Sequence, residues 1–183
     1  MERVDLYCAL RSRNCPLSSC FHLLLGDVFI ALNGRYWEDF KVGEKFQTTR
    51  RTIFESDVIQ FCNLTWFNLS MFFDDIYAKE ETIYQGRVVP GPFLIALAVG
   101  LFIKLGFYER TAISMLDIKN MHFFNSLRIG ETMQVEVTIL EKRETKYSDR
   151  GLLTLQFAVT RHDQTPIMTF EMVHLLKRKG SQA

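Results

Sequence analysis

The sequence is poor in the features that staple, anchor or charge a chain. It has four cysteines in 183 residues, and three of them, Cys8, Cys15 and Cys20, fall within the first 20 positions, leaving Cys62 alone in the body. That spacing makes neither a paired CxxC metal knuckle nor a disulfide framework. A lone body thiol fits a reducing compartment, where it packs as a small apolar group. Charge of one sign is missing too: 22 Lys and Arg against 21 Asp and Glu leave a net charge of +1. No field gathers polyanions, so nucleic acid is not an expected partner. No apolar run approaches the roughly 20 residues of a membrane span. No membrane association is expected, and the cytoplasm is the expected location. Without a secretory signal the sequons at Asn63 and Asn68 carry no weight.

What is present is apolar and aromatic. Hydrophobic residues make up 48% of the chain, enough for one sizeable core without disulfides or metals. Sixteen Phe against six Tyr and two Trp suggest a dry interior or tunnel more than a polar recognition surface, which suits an aliphatic ligand. Residues 1–35 read differently from the rest. Arg3, Arg11 and Arg13 precede an apolar stretch from Cys20 to Leu32 that Asp27 interrupts, so neither a signal h-region nor a spanning helix results. They are expected to be an extension that the domain, residues 36–179, does without.

From Tyr36 the pattern becomes regular. Val42-Gly43-Glu44 reads as a turn, and Phe46 to Ile53 alternates in strand fashion. Val58, Ile59, Phe61, Cys62 and Leu64 then fall at helical spacing, with Ser56 and Asp57 available as caps. Residues 65–87 mix aromatics and acids without a period and read as a long, partly helical excursion, a kind of segment that often carries function. Pro90-Gly91-Pro92 opens an all-apolar stretch that stops at Lys104. It is too short for a membrane and reads as a helix buried in its own protein, with Pro92 suited to the first turn. Residues 131–142, 151–160 and 166–177 each alternate, with turns at Gly130, 148–151 and 162–166. An antiparallel sheet around an apolar helix is an α+β, hot-dog architecture, and a second copy would cover what one sheet leaves exposed.

Three blocks carry a resemblance. Tyr36-Trp-Glu-Asp-Phe-Lys-Val-Gly-Glu resembles the strand entry of MaoC-like enoyl-CoA hydratases and dehydratases. Gly86-Arg-Val-Val-Pro-Gly-Pro-Phe-Leu-Ile-Ala-Leu-Ala-Val-Gly-Leu resembles their turn into the central helix. Phe123-Phe-Asn-Ser-Leu-Arg-Ile-Gly-Glu-Thr-Met-Gln-Val-Glu-Val resembles their strand pair. The resemblance implies an acyl-CoA or acyl-carrier thioester as ligand, hydration or dehydration without a metal or organic cofactor, and a place in fatty acid metabolism. It also implies a homodimer or a hetero-pair with a homologous hot-dog protein.

In the family an Asp and a His five residues later handle protons, and a backbone N–H at the glycine opening the central helix holds the thioester oxygen. Carried over, that glycine is Gly91, flanked by Val89 and Pro90, while the Asp and His positions hold Phe67 and Phe72. The expected substrate-binding set is therefore Gly91, Val89, Pro90, Phe67 and Phe72. Asp74, Asp75 and His122 are the nearest candidates for a relocated acid or base, though two acids can simply cap a helix and the histidine can be an ordinary strand residue. The alternatives are a binding protein with reduced or absent activity, an active hydratase with relocated groups, and a non-catalytic partner of a hetero-oligomeric dehydratase. A hot-dog thioesterase ranks below these, because residues 86–107 contain no Asp or Glu to activate water.

Overall fold

The computed structural model describes residues 34–180. The expectations placed on residues 1–33, their dispensability and their three cysteines included, lie outside the described residues. Four long strands form the body of one antiparallel sheet: β3 (Ala112–Phe123), β4 (Thr132–Glu144), β5 (Arg150–Arg161) and β6 (Pro166–Lys177). Two short ones, β1 (Lys45–Gln47) and β2 (Arg51–Thr52), both pair with β4, and the order across the sheet is β1-β4-β5-β6-β3. Period-2 alternation decides which face is dry. Met133, Val135, Val137 and Ile139 of β4 and Leu153, Leu155, Phe157 and Val159 of β5 all point into the core. Val135 lies opposite Val159 and Val137 opposite Phe157, so the two apolar faces share one register.

The expected single strand over residues 46–53 is instead two pieces. Thr48 turns its hydroxyl inward to accept the Val135 N–H at 3.1 Å, while its own N–H donates to the Val135 carbonyl at 2.9 Å. A buried side chain thus stands in for a ladder partner at the break.

Helix α1 (Glu55–Thr65) follows, then α2 (Ser70–Phe73), α3 (Asp75–Glu80) and the long α4 (Gly91–Ile103). In α1 the N-cap is Phe54, not Ser56 or Asp57; Asp57 sits one turn in and accepts the Phe54 N–H at 3.0 Å. Leu64, expected on the apolar face, is exposed, because the helix turns into a left-handed Trp66 just beyond it. Helix α4 lays Leu94, Ala98, Leu101 and Phe102 on the sheet, and the Phe102 ring meets Phe157 edge-on at 5.6 Å. Its outer face is open within one protomer, with Ala96, Gly100 and Ile103 exposed. The sheet alone thus covers one face of the helix, and the rest is the part that the sequence leaves to a second copy. A sheet packed on one central helix is the hot-dog arrangement.

Strand β3 carries the departure with most consequence. Among the described residues it pairs only with β6 and forms the sheet edge, and it is bulged between Ala112 and Ser114, Met115 and Asp117, and Lys119 and His122. Each bulge resets the alternation, so the segment has no strand period in sequence. Its last residue, Phe123, delivers the chain to the mouth of α4.

Candidate functional site

Beside the N-terminus of α4 lies a cavity of about 530 Å³. One wall is the segment running from Phe67 through Phe72, another is Val88, Val89, Pro90 and Gly91 with Leu94 from α4, and the third is residues 123–126 beyond β3. Among the described residues no charged side chain lines it. The polar groups on the wall are the Tyr84 phenol, Asn125, Ser126 and backbone.

Gly91 is the first residue of α4, so its N–H has no intrahelical acceptor and sits at the positive end of the helix dipole. The lack of a side chain matters here: a Cβ would lie 3.2 Å from the Phe123 ring, which rests against this residue. The adjoining backbone is fixed by the Val89 N–H donating to the Leu127 carbonyl at 2.8 Å. Phe67 and Phe72 face each other with ring centroids 5.6 Å apart and planes 29° apart. Phe72 is buried and Phe67 half-buried. Behind Phe67 stands Phe61 at 6.4 Å, itself stacked on Phe93 of α4 at 4.7 Å. A row of four rings therefore ties the wall to the central helix.

Ion pairs hold the excursion in place. The Arg87 guanidinium, largely buried, reaches Glu55 at 2.8 Å and Asp75 at 2.6 Å, joining the first turns of α1 and α3. Glu55 raises its pKa further, Asp75 adds to this, and burial opposes both. Arg128 donates to the Tyr84 carbonyl at 2.7 Å.

All five residues expected to contact substrate, Phe67, Phe72, Val89, Pro90 and Gly91, line this one cavity. Asp74, Asp75 and His122 do not. One Asp74 oxygen accepts the Ile76 and Tyr77 N–H groups at 2.9 and 3.0 Å as the cap of α3, and Asp75 is held by Arg87. His122 stands exposed on the edge strand opposite Thr169. Residues 123–126 and Tyr84 were not singled out from sequence. The aromatic pair at 123–124 was quoted only for its likeness to a strand, and nothing in its spacing ties it to Gly91.

A second buried polar arrangement lies away from the cavity. The Tyr108 hydroxyl is 3.0 Å from His174 Nδ1, with both residues buried. Burial pushes the tyrosine up well above its ordinary value and the imidazole down to about 4. Among the described residues no group of three or more His, Cys, Asp or Glu could hold a metal ion, and no helix is long and apolar enough to cross a membrane.

A family profile described as a MaoC like domain matches residues 39–159. Protein MaoC of Klebsiella aerogenes is 35% identical over 117 residues, which are 64% of this chain and 33% of that protein. The chain thus spans about a third of the length of that curated relative. Among solved structures, one described as a monoamine oxidase regulatory protein from Archaeoglobus superposes with a TM-score of 0.75 at 24% identity, covering 81% of this chain and 98% of the other. An R-hydratase of Pseudomonas aeruginosa in its unliganded form superposes with a TM-score of 0.66 at 18% identity, covering 82% and 92%. At these identities the two structures speak for the fold.

Proposed function

The chain belongs to the MaoC-like hydratase and dehydratase family, and from that premise we propose that it binds an acyl thioester in the cavity at the start of α4 while having little or no hydratase activity of its own. The observation that supports this reading most is the pairing of a free helix-start N–H at Gly91 with two phenylalanines, 67 and 72, on the wall of the same cavity. The N–H and the helix dipole favour a carbonyl oxygen that gathers negative charge. Two Phe side chains can neither take nor give a proton. The acyl chain lies against the apolar wall, Val89 and Pro90 flank the carbonyl, and CoA or a carrier arm leaves toward solvent.

Relocated proton chemistry has little support. Asp74 is spent on a helix cap and Asp75 on Arg87, and neither they nor His122 line the cavity. Titration with an acyl-CoA followed by calorimetry, beside a crotonyl-CoA hydration assay, tests the reading. Saturable binding with background turnover is expected, and robust turnover overturns it.

A second reading concerns assembly. Strand β3 is a sheet edge carrying exposed Ile113, Met115 and Leu116, and the outer face of α4 is also apolar. Unpaired edges and apolar patches of this kind favour a neighbour. Pairing with a second hot-dog domain, its own copy or a homologue that supplies the missing acid and base, fits both surfaces.

A further inference from the structure

We infer that the cavity selects a planar, conjugated aryl-acyl group over a flexible straight chain of equal carbon number, and rejects an acyl group that ends in a carboxylate. The inference rests on the acyl-thioester reading of this same site. Five of the side chains on the cavity wall are aromatic: Phe67, Phe72, Tyr84, Phe123 and Phe124. The Phe123 ring rests against Gly91, where a thioester carbonyl would meet the N–H, and the near-parallel Phe67 and Phe72 rings line another wall of the same cavity.

The wall of Phe67 and Phe72 is braced. Phe67 is backed by Phe61, which stacks on Phe93 at 4.7 Å, so the row is anchored in α4 and presents fixed ring faces and edges to whatever enters. Fixed rings reward a rigid ring, through offset or edge-on contacts worth a factor of about 2 to 12 each beyond plain burial. An aryl group conjugated with its carbonyl is already flat, so it loses little conformational freedom when seated between them. A saturated chain must give up several rotamers in the same space. Among the described residues no charged side chain lines the wall, so a terminal carboxylate would be desolvated without a cation to pair with.

The test uses the full 183-residue chain and four probes in isothermal titration: cinnamoyl-CoA, nonanoyl-CoA, glutaryl-CoA and CoA alone. Cinnamoyl and nonanoyl groups have the same carbon number, and apolar burial alone ranks nonanoyl first, so the order separates ring recognition from greasiness. Cinnamoyl-CoA is expected to bind about fivefold tighter than nonanoyl-CoA or better, and glutaryl-CoA no tighter than CoA. Replacing rings while keeping the wall apolar, in Phe67→Leu with Phe123→Leu, should weaken cinnamoyl-CoA more than nonanoyl-CoA and move their ratio toward one. Phe123→Leu alone, at a residue half exposed to solvent, repeats the test in a variant whose folding is not at issue. Nonanoyl-CoA binding as tightly as cinnamoyl-CoA, a ratio indifferent to both variants, or tight glutaryl-CoA binding overturns the aryl preference while leaving thioester binding intact. Binding of no thioester above CoA itself overturns the acyl-thioester reading and this inference together.

Discussion

Phe67 and Phe72 stack 5.6 Å apart on the wall of a cavity that Gly91, the first residue of the central helix, also lines. That pair joins two features: an apolar wall braced against α4, and, at the two positions the resemblance gives to the proton-handling Asp and His, side chains with no ionisable group. Binding and turnover should therefore come apart. Crotonyl-CoA hydration by the isolated chain is expected near background, since loss of each proton-transfer group costs ~10²–10⁴-fold. A saturating acyl-CoA is expected to raise thermal stability at the same time, by about 2.7 kcal/mol at a hundredfold excess over Kd. Phe67→Asp with Phe72→His should bring measurable hydration at some loss of stability, because position 72 is buried. Turnover by the unaltered chain that disappears on changing Asp75 or His122 would reverse the assignment.

Arg87 links the excursion that carries the phenylalanine pair to the rest of the fold. Arg87→Met keeps the apolar stem and deletes the contacts to Glu55 and Asp75. Both acids are mostly exposed, so the global cost should be only ~1 kcal/mol. The local effect should be larger: faster amide exchange over residues 70–80 and weaker acyl-CoA binding. Unchanged exchange there would show that the ring row alone holds the segment.

Gly151 lies under the Trp37 ring. A Cβ at this position would sit 2.6 Å from three indole atoms, and the indole is pinned by its Nε1–H donating to the Leu152 carbonyl at 2.8 Å. The ring is held further by two cations, Lys142 and Arg178, 4.3 and 4.8 Å from its centroid. Gly151→Ala is expected to cost about 1–3 kcal/mol by overpacking, seen as a Tm fall of several degrees. A Tm equal to wild type would mean that the N-terminal turn detaches freely.

The parts of this architecture legible in sequence are those where one period runs unbroken. Met133 to Ile139 and Leu153 to Val159 alternate without interruption and became paired, buried strands. The apolar run after Pro92 became α4, although the sheet covers only the face with Leu94, Ala98 and Leu101. Strand β3 was illegible because its three bulges erase the period and its edge position leaves its side chains exposed. With β3 unseen, residues 123–126 could not be set against Gly91, and one of the three cavity walls was missing. The pair Tyr108 and His174, 66 residues apart, meets only through the tertiary fold and left no local signal.

That pair sets a pH dependence. Burial holds the His174 imidazole at about 4 in the folded chain, against 6.5 when exposed. Above 6.5 the residue is neutral in both states and contributes its full stability. As pH falls from 6.5 to 4 the unfolded chain takes a proton that the folded chain refuses, so stability drops through that window, by roughly 3 kcal/mol in all. Below 4 this group adds no further slope. Glu38, Asp39 and Glu44 also lose stability in acid. Burial pushes them up, but contacts with Lys179, Arg178 and Arg35 outweigh it and hold them below the usual carboxylate range. His174→Asn keeps a partner near the Tyr108 hydroxyl and removes the imidazole. Denaturant melts from pH 7 to 4 should show a shallower slope in this variant, and identical slopes would remove the role given to His174.

The state of assembly follows from the edge strand. Along β3, Ile113, Met115 and Leu116 are 41%, 51% and 55% exposed in the single protomer, and among the described residues one side of the strand's backbone has no neighbour. An edge that is long, apolar and uncovered associates unless charges or bulges prevent it. The bulges here bend the strand, but its charged residues, Asp117 and Lys119, lie near its middle and leave Ala112 to Leu116 without blocking charge. Sedimentation at micromolar concentration should therefore show a species near twice the 21.4 kDa chain mass. Met115→Lys with Leu116→Glu should dissociate it while leaving the core, which these exposed side chains do not enter, with its secondary structure intact. Because Phe123 ends the same strand and rests on Gly91, the dissociated variant should also bind acyl-CoA more weakly. A wild-type chain that sediments as a stable monomer, and pairs with no homologous hot-dog protein offered to it, would leave β3 an exposed edge without a partner and overturn the assembly reading.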